Sequence, residues 1–186
     1  AEHIIIRDDY SKLDYIGGAD YKIIGEKVIA AAVVCDKEMK QIGQANCMKD
    51  VKKEAMYKEA DALAEAVKNL DIKPDVILVN GYGINHARLG LASFIGLMLD
   101  LPTIGITKSQ IYGKIVDRMV YVKNEIKGYE LATRDASNPV YIAPGHKVSL
   151  KSSLQIARDC IKWPHKMPEP LALAHKLVNK AKKGDT

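Results

Sequence analysis

Residues 75–109 read DVILVNGYGINHARLGLASFIGLMLDLPTIGITKS, and no other stretch limits the fold so tightly. Asp75 to Val79 is a short apolar run rich in β-branched residues, the kind that forms a strand buried on both faces of a parallel sheet. It stops at Asn80-Gly81-Tyr82-Gly83, where two close glycines predict a tight turn. An apolar helix follows from about Leu89 to Leu99, then Pro102, then a second buried strand from Thr103 to Thr107. Strand, helix and strand make a βαβ unit, and ligands of such units sit beyond the carboxyl ends of the strands. Asn80, His86 and Lys108 all fall on or near that edge.

The flanking segments extend this unit. Tyr15–Ile24, Lys27–Cys35 and Glu38–Cys47 read as three strands with short links at Gly25-Glu26 and Asp36-Lys37, an antiparallel meander. Asp20 is a lone polar residue within the first. Glu54–Leu70 is the clearest helix, with Ala55, Met56, Ala62, Leu63, Ala66, Val67 and Leu70 in one apolar stripe. Glu59 lies inside that stripe. A carboxylate facing a sheet is costly unless something pairs with it, and the alternative is that Glu59 reaches water at the helix start. Downstream, Ile115–Val122 and Tyr129–Thr133 read as strands around a turn at Asn124–Gly128, and Pro139–Ala143 as another, ending in Pro144-Gly145-His146. Ser149–Trp163, with Ser149 as N-cap, and Leu171–Lys183 read as helices. His3–Arg7 has the composition of a short extra strand with no evident place.

The 186 residues suit one α/β domain spanning 1–186. A net charge of +5 and a pI near 9.0 permit a polyanionic partner and equally fit solvated lysines on helix faces. Cys35, Cys47 and Cys160 are odd in number and far apart, which argues against a zinc site and a disulfide framework; Cys35 reads as core. No signal peptide or membrane-spanning stretch is visible, so the expectation is a cytoplasmic protein without an evident obligate protein partner. The absence of a P-loop or GxGxxG disfavours a small-nucleotide binder.

The order β-β-β-α-β-α-β, opening with a meander, is that of a ribonuclease H-like fold: a mixed sheet with helices on both faces. In it, groups on the first strand, the first helix and the end of the fourth strand converge. Asp20, Glu59 and Asn80 occupy those places. Oxygen ligands meeting there would hold Mg²⁺, which needs few carboxylates and takes phosphate oxygens as further ligands. Paired ions of this kind activate water and stabilise the leaving oxygen of a phosphodiester.

The central stretch closely resembles the endonuclease V motif VDGHGxxHPRxxGLAxHxGxxxxxPTIGxAKS. GADYKI (Gly18–Ile23) resembles that family's GVDxxY, YKE (Tyr57–Glu59) its FRE, NPVYIAPGH (Asn138–His146) its PVYxSPGH, and KMPEPLALAHKL (Lys166–Leu177) its RxPEPxRxADxL. The resemblance runs in one order from about Tyr15 to Asn179. It implies a metal-dependent nuclease that cuts DNA or RNA 3′ of a deaminated purine, chiefly inosine. By the same resemblance Asp20 and Glu59 are metal ligands with Mg²⁺ as cofactor; with Asn80 as a weak neutral ligand beside them, the expectation is that Mn²⁺ is preferred. His86 sits near the scissile phosphate, Lys108 stabilises phosphate charge, and Gly81, Gly90 and Leu91 line a pocket for a flipped base. Tyr82 is a further candidate as a stacking platform and His146 as a site residue or a turn-former, whereas His3, His165 and His175 read as surface residues.

Three departures stand out. Asn80 replaces the family's third metal carboxylate. At ~4 Å and an effective dielectric of about 20, such a carboxylate contributes roughly 8 kcal/mol of gross attraction to a divalent ion, much of it cancelled by desolvation. The family's PYIPG wedge is absent, and Lys49–Lys53 stands there as phosphate contacts or as a solvated loop. Tyr82, Phe94 and Ala87 replace two histidines and a proline of the pattern. The sequence therefore leaves two functions open: an endonuclease V-type enzyme with weakened or altered activity, or an inactive relative that binds nucleic acid.

Overall fold

The computed structural model describes residues 3–183. Its strands are β1 (Ile16–Ile24), β2 (Lys27–Cys35), β3 (Gln41–Asp50), β4 (Val76–Asn80), β5 (Thr103–Thr107), β6 (Lys114–Val116), β7 (Met119–Val122), β8 (Glu125–Leu131) and β9 (Val140–His146). They form one sheet in the order β3-β2-β1-β4-β5-β9-β8-β7-β6. β1, β4 and β5 run parallel, and every other neighbouring pair is antiparallel. The helices are α1 (Ala60–Lys68), α2 (Leu91–Leu99), α3 (Leu150–Asp159) and α4 (Glu169–Lys183). This is the ribonuclease H-like arrangement expected from the element order. Among the described residues no helix is long and apolar enough to cross a membrane.

The alternation of β4 divides the core. Ile77 and Val79 face a cluster with α1 and α2, which includes Leu63, Val67, Leu91 and Ile95. Val76 and Leu78 face the opposite cluster, with Ile104, Ile142, Ile156 and Leu171 from the strands and from α3 and α4. A strand covered on both faces has no polar side to offer, which is why it reads as an unbroken apolar run. Cys35 is buried in this core, and burial pushes its thiol up to about 12.

Several boundaries differ from the sequence expectation, each for a local reason. Helix α1 starts at Ala60, not Glu54; Ala55 and Met56 fall in the preceding turns, and Met56 is 72% exposed. The Tyr57 hydroxyl donates to the Leu89 carbonyl, and Lys52 and Lys53 pair with Asp61 and Glu26, so the incoming chain is tied down before it coils. In the segment that stands in place of the wedge, Lys49 and Asp50 end β3, and Lys52 and Lys53 pair with the protein's own carboxylates. β3 is shifted to Gln41–Asp50 because Asp36 Oδ1 accepts from the Glu38 and Lys40 amides and lengthens the turn. The expected strand Ile115–Val122 is broken at Asp117-Arg118, and the next turn is at Lys123-Asn124; all four residues have positive φ, which suits two-residue hairpin turns. Helix α3 stops at Asp159 rather than Trp163, although Ser149 caps it as expected, its Oγ accepting from the Ser152 amide at 3.2 Å. Residues 3–7 form no strand; Ile5 hydrogen-bonds instead to Lys147 and His146.

One close backbone approach joins α4 to β1. A Cβ on Gly18 would stand 2.2 Å from the Pro170 carbonyl carbon and oxygen. Backbone cannot yield as a flexible side chain can, so Gly18→Ala displaces the start of α4. The expected cost is roughly 1–3 kcal/mol of stability, read as a lowered urea midpoint at unchanged slope; an unchanged midpoint contradicts this packing.

Candidate active site

Strand register builds the site. In the parallel pair β1–β4, Ala19 stands opposite Val79, so the next residues, Asp20 and Asn80, lie side by side. Asn80 is in turn opposite Ile106 on β5, which brings Thr107 and Lys108 to the same edge. Glu59 arrives from the other direction as the N-cap residue of α1. A cavity of about 610 Å³ opens over this edge. Asp20, Glu59, Asn80, Gly81, Tyr82, His86, Leu91 and Lys108 all line it.

Two predicted residues lie elsewhere. Gly90 is buried behind the cavity, where a Cβ would stand 2.1 Å from the Tyr82 carbonyl oxygen. Gly83 is similar, with a Cβ position 2.1 Å from the Pro144 oxygen. Neither takes a positive φ, so Gly83 serves close backbone packing and not the tight turn that the sequence suggested, and Gly90 packs behind the pocket it was expected to line. His146 is paired with Thr103, at the start of β5 and hence at the opposite edge of the sheet. It is buried there against Ile5 and Asp100, away from Asp20 and Glu59.

Asp20 is 2% exposed and Glu59 8%. Among the described residues neither forms an ion pair with lysine or arginine. Asp20 is satisfied by hydrogen bonds instead: Oδ1 accepts from its neighbour Tyr21's amide at 2.8 Å and from Asn80 Nδ2 at 2.7 Å, and Oδ2 from His175 Nδ1 at 2.8 Å. A carboxylate only accepts, so Asn80 turns its NH₂ and His175 an N–H toward it. Beside Glu59, the Tyr21 hydroxyl is pushed far up by burial and by the carboxylate's charge, and Tyr57 is raised for the same two reasons. Both therefore keep their protons at neutral pH.

His175 is the residue that sequence reasoning missed. It is exposed, as expected of a surface histidine, yet its ring meets the buried Asp20 and lines the cavity. The signal lay in RxPEPxRxADxL, where an acidic residue stands at position 175. His165 likewise does more than face solvent, pairing from the loop before α4 with Glu169 at its first position, at 2.5 Å. Asn85 was missed too. It is 1% exposed; its Oδ1 accepts from the Gly83 amide at 3.0 Å, and its Nδ2 donates to Gln110 Oε1 at 2.7 Å. Gln110 returns a bond to the Asn85 carbonyl and another to that of Tyr112. This clasp fixes the glycine turn to the loop that carries Lys108.

His86 stands in a small aromatic group, its ring 5.9 Å from Tyr82 and 4.4 Å from Tyr112. Its Nδ1 accepts from the Arg88 amide at 3.0 Å, which leaves the proton on Nε2. Burial, and then the Arg88 charge, hold its pKa below the ordinary 6.5. The ring is thus neutral at pH 7 and gains charge only under acid conditions. An NMR titration of the His86 ring should give a midpoint below 6.5, and Arg88→Ala should recover only the smaller part of the shift. A midpoint at or above 6.5 contradicts the burial argument.

Other proteins share this fold. The family model for Endonuclease V matches residues 1–176. The Endonuclease V of Dictyoglomus thermophilum is 34% identical over 197 residues, covering 97% of this chain and 86% of that protein. The crystal structure of the Streptomyces avermitilis Endonuclease V superposes with a TM-score of 0.90 at 24% identity, over 98% of this chain and 88% of the other. That of Ciona intestinalis Endonuclease V, solved with inosine-containing DNA, gives 0.83 at 26%, over 100% and 93%. With the fold, the order of motifs and the family match in agreement over nearly its whole length, the chain belongs to the endonuclease V family.

Proposed function

We propose that this chain is a divalent-metal-dependent endonuclease that cuts DNA or RNA beside inosine or another altered base, and that it holds its metal weakly. The observation that carries the reading is the pair of buried carboxylates, Asp20 and Glu59, in a cavity also lined by Lys108, Lys166 and Lys176. Buried negative charge facing a basic rim suits a cation below a polyanion. The Ciona relative binds inosine-containing DNA, which supports the same class of ligand here.

The donor set fits a hard cation in part. Two carboxylates and the Asn80 amide oxygen are oxygen ligands, and Mg²⁺ or Mn²⁺ takes water and phosphate oxygens for the rest. Among the described residues no three His, Cys, Asp or Glu side chains form a metal-binding group. That is consistent with a neutral amide standing where a third charge is needed. To contribute its oxygen, Asn80 has to give up its hydrogen bond to Asp20 and turn over. A bound divalent ion supplies an activated water and charge stabilisation at the leaving oxygen.

The chain's own groups do the remaining work. Lys108 pairs with the phosphate as a compact cation. Neutral His86 offers an Nε2–H to a phosphate oxygen. Gly81 and Leu91 line a cleft for a flipped base, backed by the packed Gly90, and Tyr82 presents a ring face for stacking. The Asn80–Asp20 bond also favours a second reading, in which the site is closed without metal and the protein only binds nucleic acid.

Cleavage of inosine-containing single- and double-stranded oligonucleotides decides between them. Wild type should cut little with Mg²⁺ and more with Mn²⁺, and Asn80→Asp should raise the Mg²⁺ rate by about tenfold or more, given the size of the restored attraction. Robust Mg²⁺-dependent cutting by the wild type overturns the weakened site. Binding without cutting by either protein selects the second reading, and neither binding nor cutting contradicts both. Lys108→Ala should lower whatever Mn²⁺ rate is found by about 10²-fold. Because Lys108 is exposed, its thermal midpoint should stay unchanged.

A further inference from the structure

Resting on the nuclease reading, we propose that Trp163 is a stacking platform for an unpaired base of the strand that leaves the cavity. Trp163 is the only tryptophan in the chain, and it is 86% exposed. It stands in the loop between α3 and α4, two residues before His165, Lys166 and Met167, which form part of the cavity wall.

The loop is held while the ring is bare. The His165 amide donates to the Lys162 carbonyl at 2.9 Å, and Arg134 Nη1 donates to the Pro164 carbonyl at 3.3 Å. His165 is fixed by Glu169, and the Glu169 amide donates to the Cys160 carbonyl at 2.7 Å. A large ring on a fixed base loses little freedom on binding. Basic groups border it: Lys162 precedes it in sequence, Lys166 follows three residues on, Arg134 reaches the adjoining Pro164 carbonyl, and Lys176 meets His165. Of the acidic groups close by in sequence or contact, Glu169 pairs with His165, Asp159 accepts from Gln155, and Asp135 stands exposed beside Arg134.

The chemistry of the partner follows. A membrane or an apolar protein face needs a contiguous apolar patch, and no other large exposed apolar side chain lies between residues 157 and 183. One aromatic face among lysines and an arginine matches single-stranded nucleic acid, where a base stacks and the cations meet phosphates. A base held in a duplex has no free face to give.

The indole itself reports on the contact. Its fluorescence, excited at the red edge where tyrosine does not absorb, is followed while wild-type protein with Ca²⁺ is titrated with labelled inosine-containing oligonucleotides. Label anisotropy follows binding in the same cuvette. Single strands should quench the indole as anisotropy rises, and a blunt duplex should quench it less. Trp163→Ala should weaken single-strand binding by about tenfold, and Trp163→Phe should keep most of it. Binding without quenching, or Trp163→Ala binding as well as wild type, overturns this proposal and leaves the nuclease reading intact. A blue shift with anionic vesicles and none with oligonucleotide overturns it as well. Absence of binding to any oligonucleotide overturns both.

Discussion

The site depends on the parallel pairing of β1 with β4. That pairing is buried on both faces, so its register is fixed by the core and cannot slip without turning apolar side chains out. One residue beyond the last paired position, the same register sets Asp20 beside Asn80 at 2.7 Å. Everything else at the edge is hung on this pair: α1 delivers Glu59, α4 delivers His175, and β5 with the Asn85–Gln110 clasp delivers Lys108. The tight approach at Gly18 holds α4 where His175 can reach.

A buried carboxylate needs compensation, and what compensates Asp20 explains the character of the site. An amide N–H, an asparagine NH₂ and an imidazole N–H supply three hydrogen bonds and leave no donor missing. A second carboxylate at position 80 would repel Asp20 unless a cation lay between them. Asparagine removes that demand. The substitution therefore acts on two states at once: it stabilises the ion-free site through a hydrogen bond and withdraws a full charge from the ion-bound one. Under the proposed function, either effect would weaken the hold on a metal ion.

Much of this was legible in the residues. The βαβ unit, the meander, Asp20 as a lone polar strand residue and Glu59 within an apolar stripe are pattern-level signals, and the structure brings those groups to one cavity. What escaped depends on distance in three dimensions. His175 is 155 residues from Asp20 and looks like any exposed helix residue. Gly83 suggested turn dihedrals and Gly90 a pocket wall, but what both positions require is room for carbonyl oxygens, of Pro144 at Gly83 and of Tyr82 at Gly90. His146 sits in a motif-like Pro-Gly-His yet ends on the far edge, because β9 runs antiparallel to β5 and carries its last residue away from the site. Helix α1 lost its first turn to contacts made by Tyr57, Lys52 and Lys53, which no periodicity reveals.

The central claim is that Asp20 and Glu59 form a metal site in which Asn80 stands as a neutral and reluctant third ligand. Crystals soaked in Mn²⁺ test it most directly, since anomalous scattering locates the ion independently of any activity. The account predicts an ion in contact with both carboxylates, with the Asn80 amide turned so that its oxygen, not its nitrogen, faces the site. An ion bound elsewhere, or an empty pair with the Asn80–Asp20 hydrogen bond intact at saturating Mn²⁺, would contradict it.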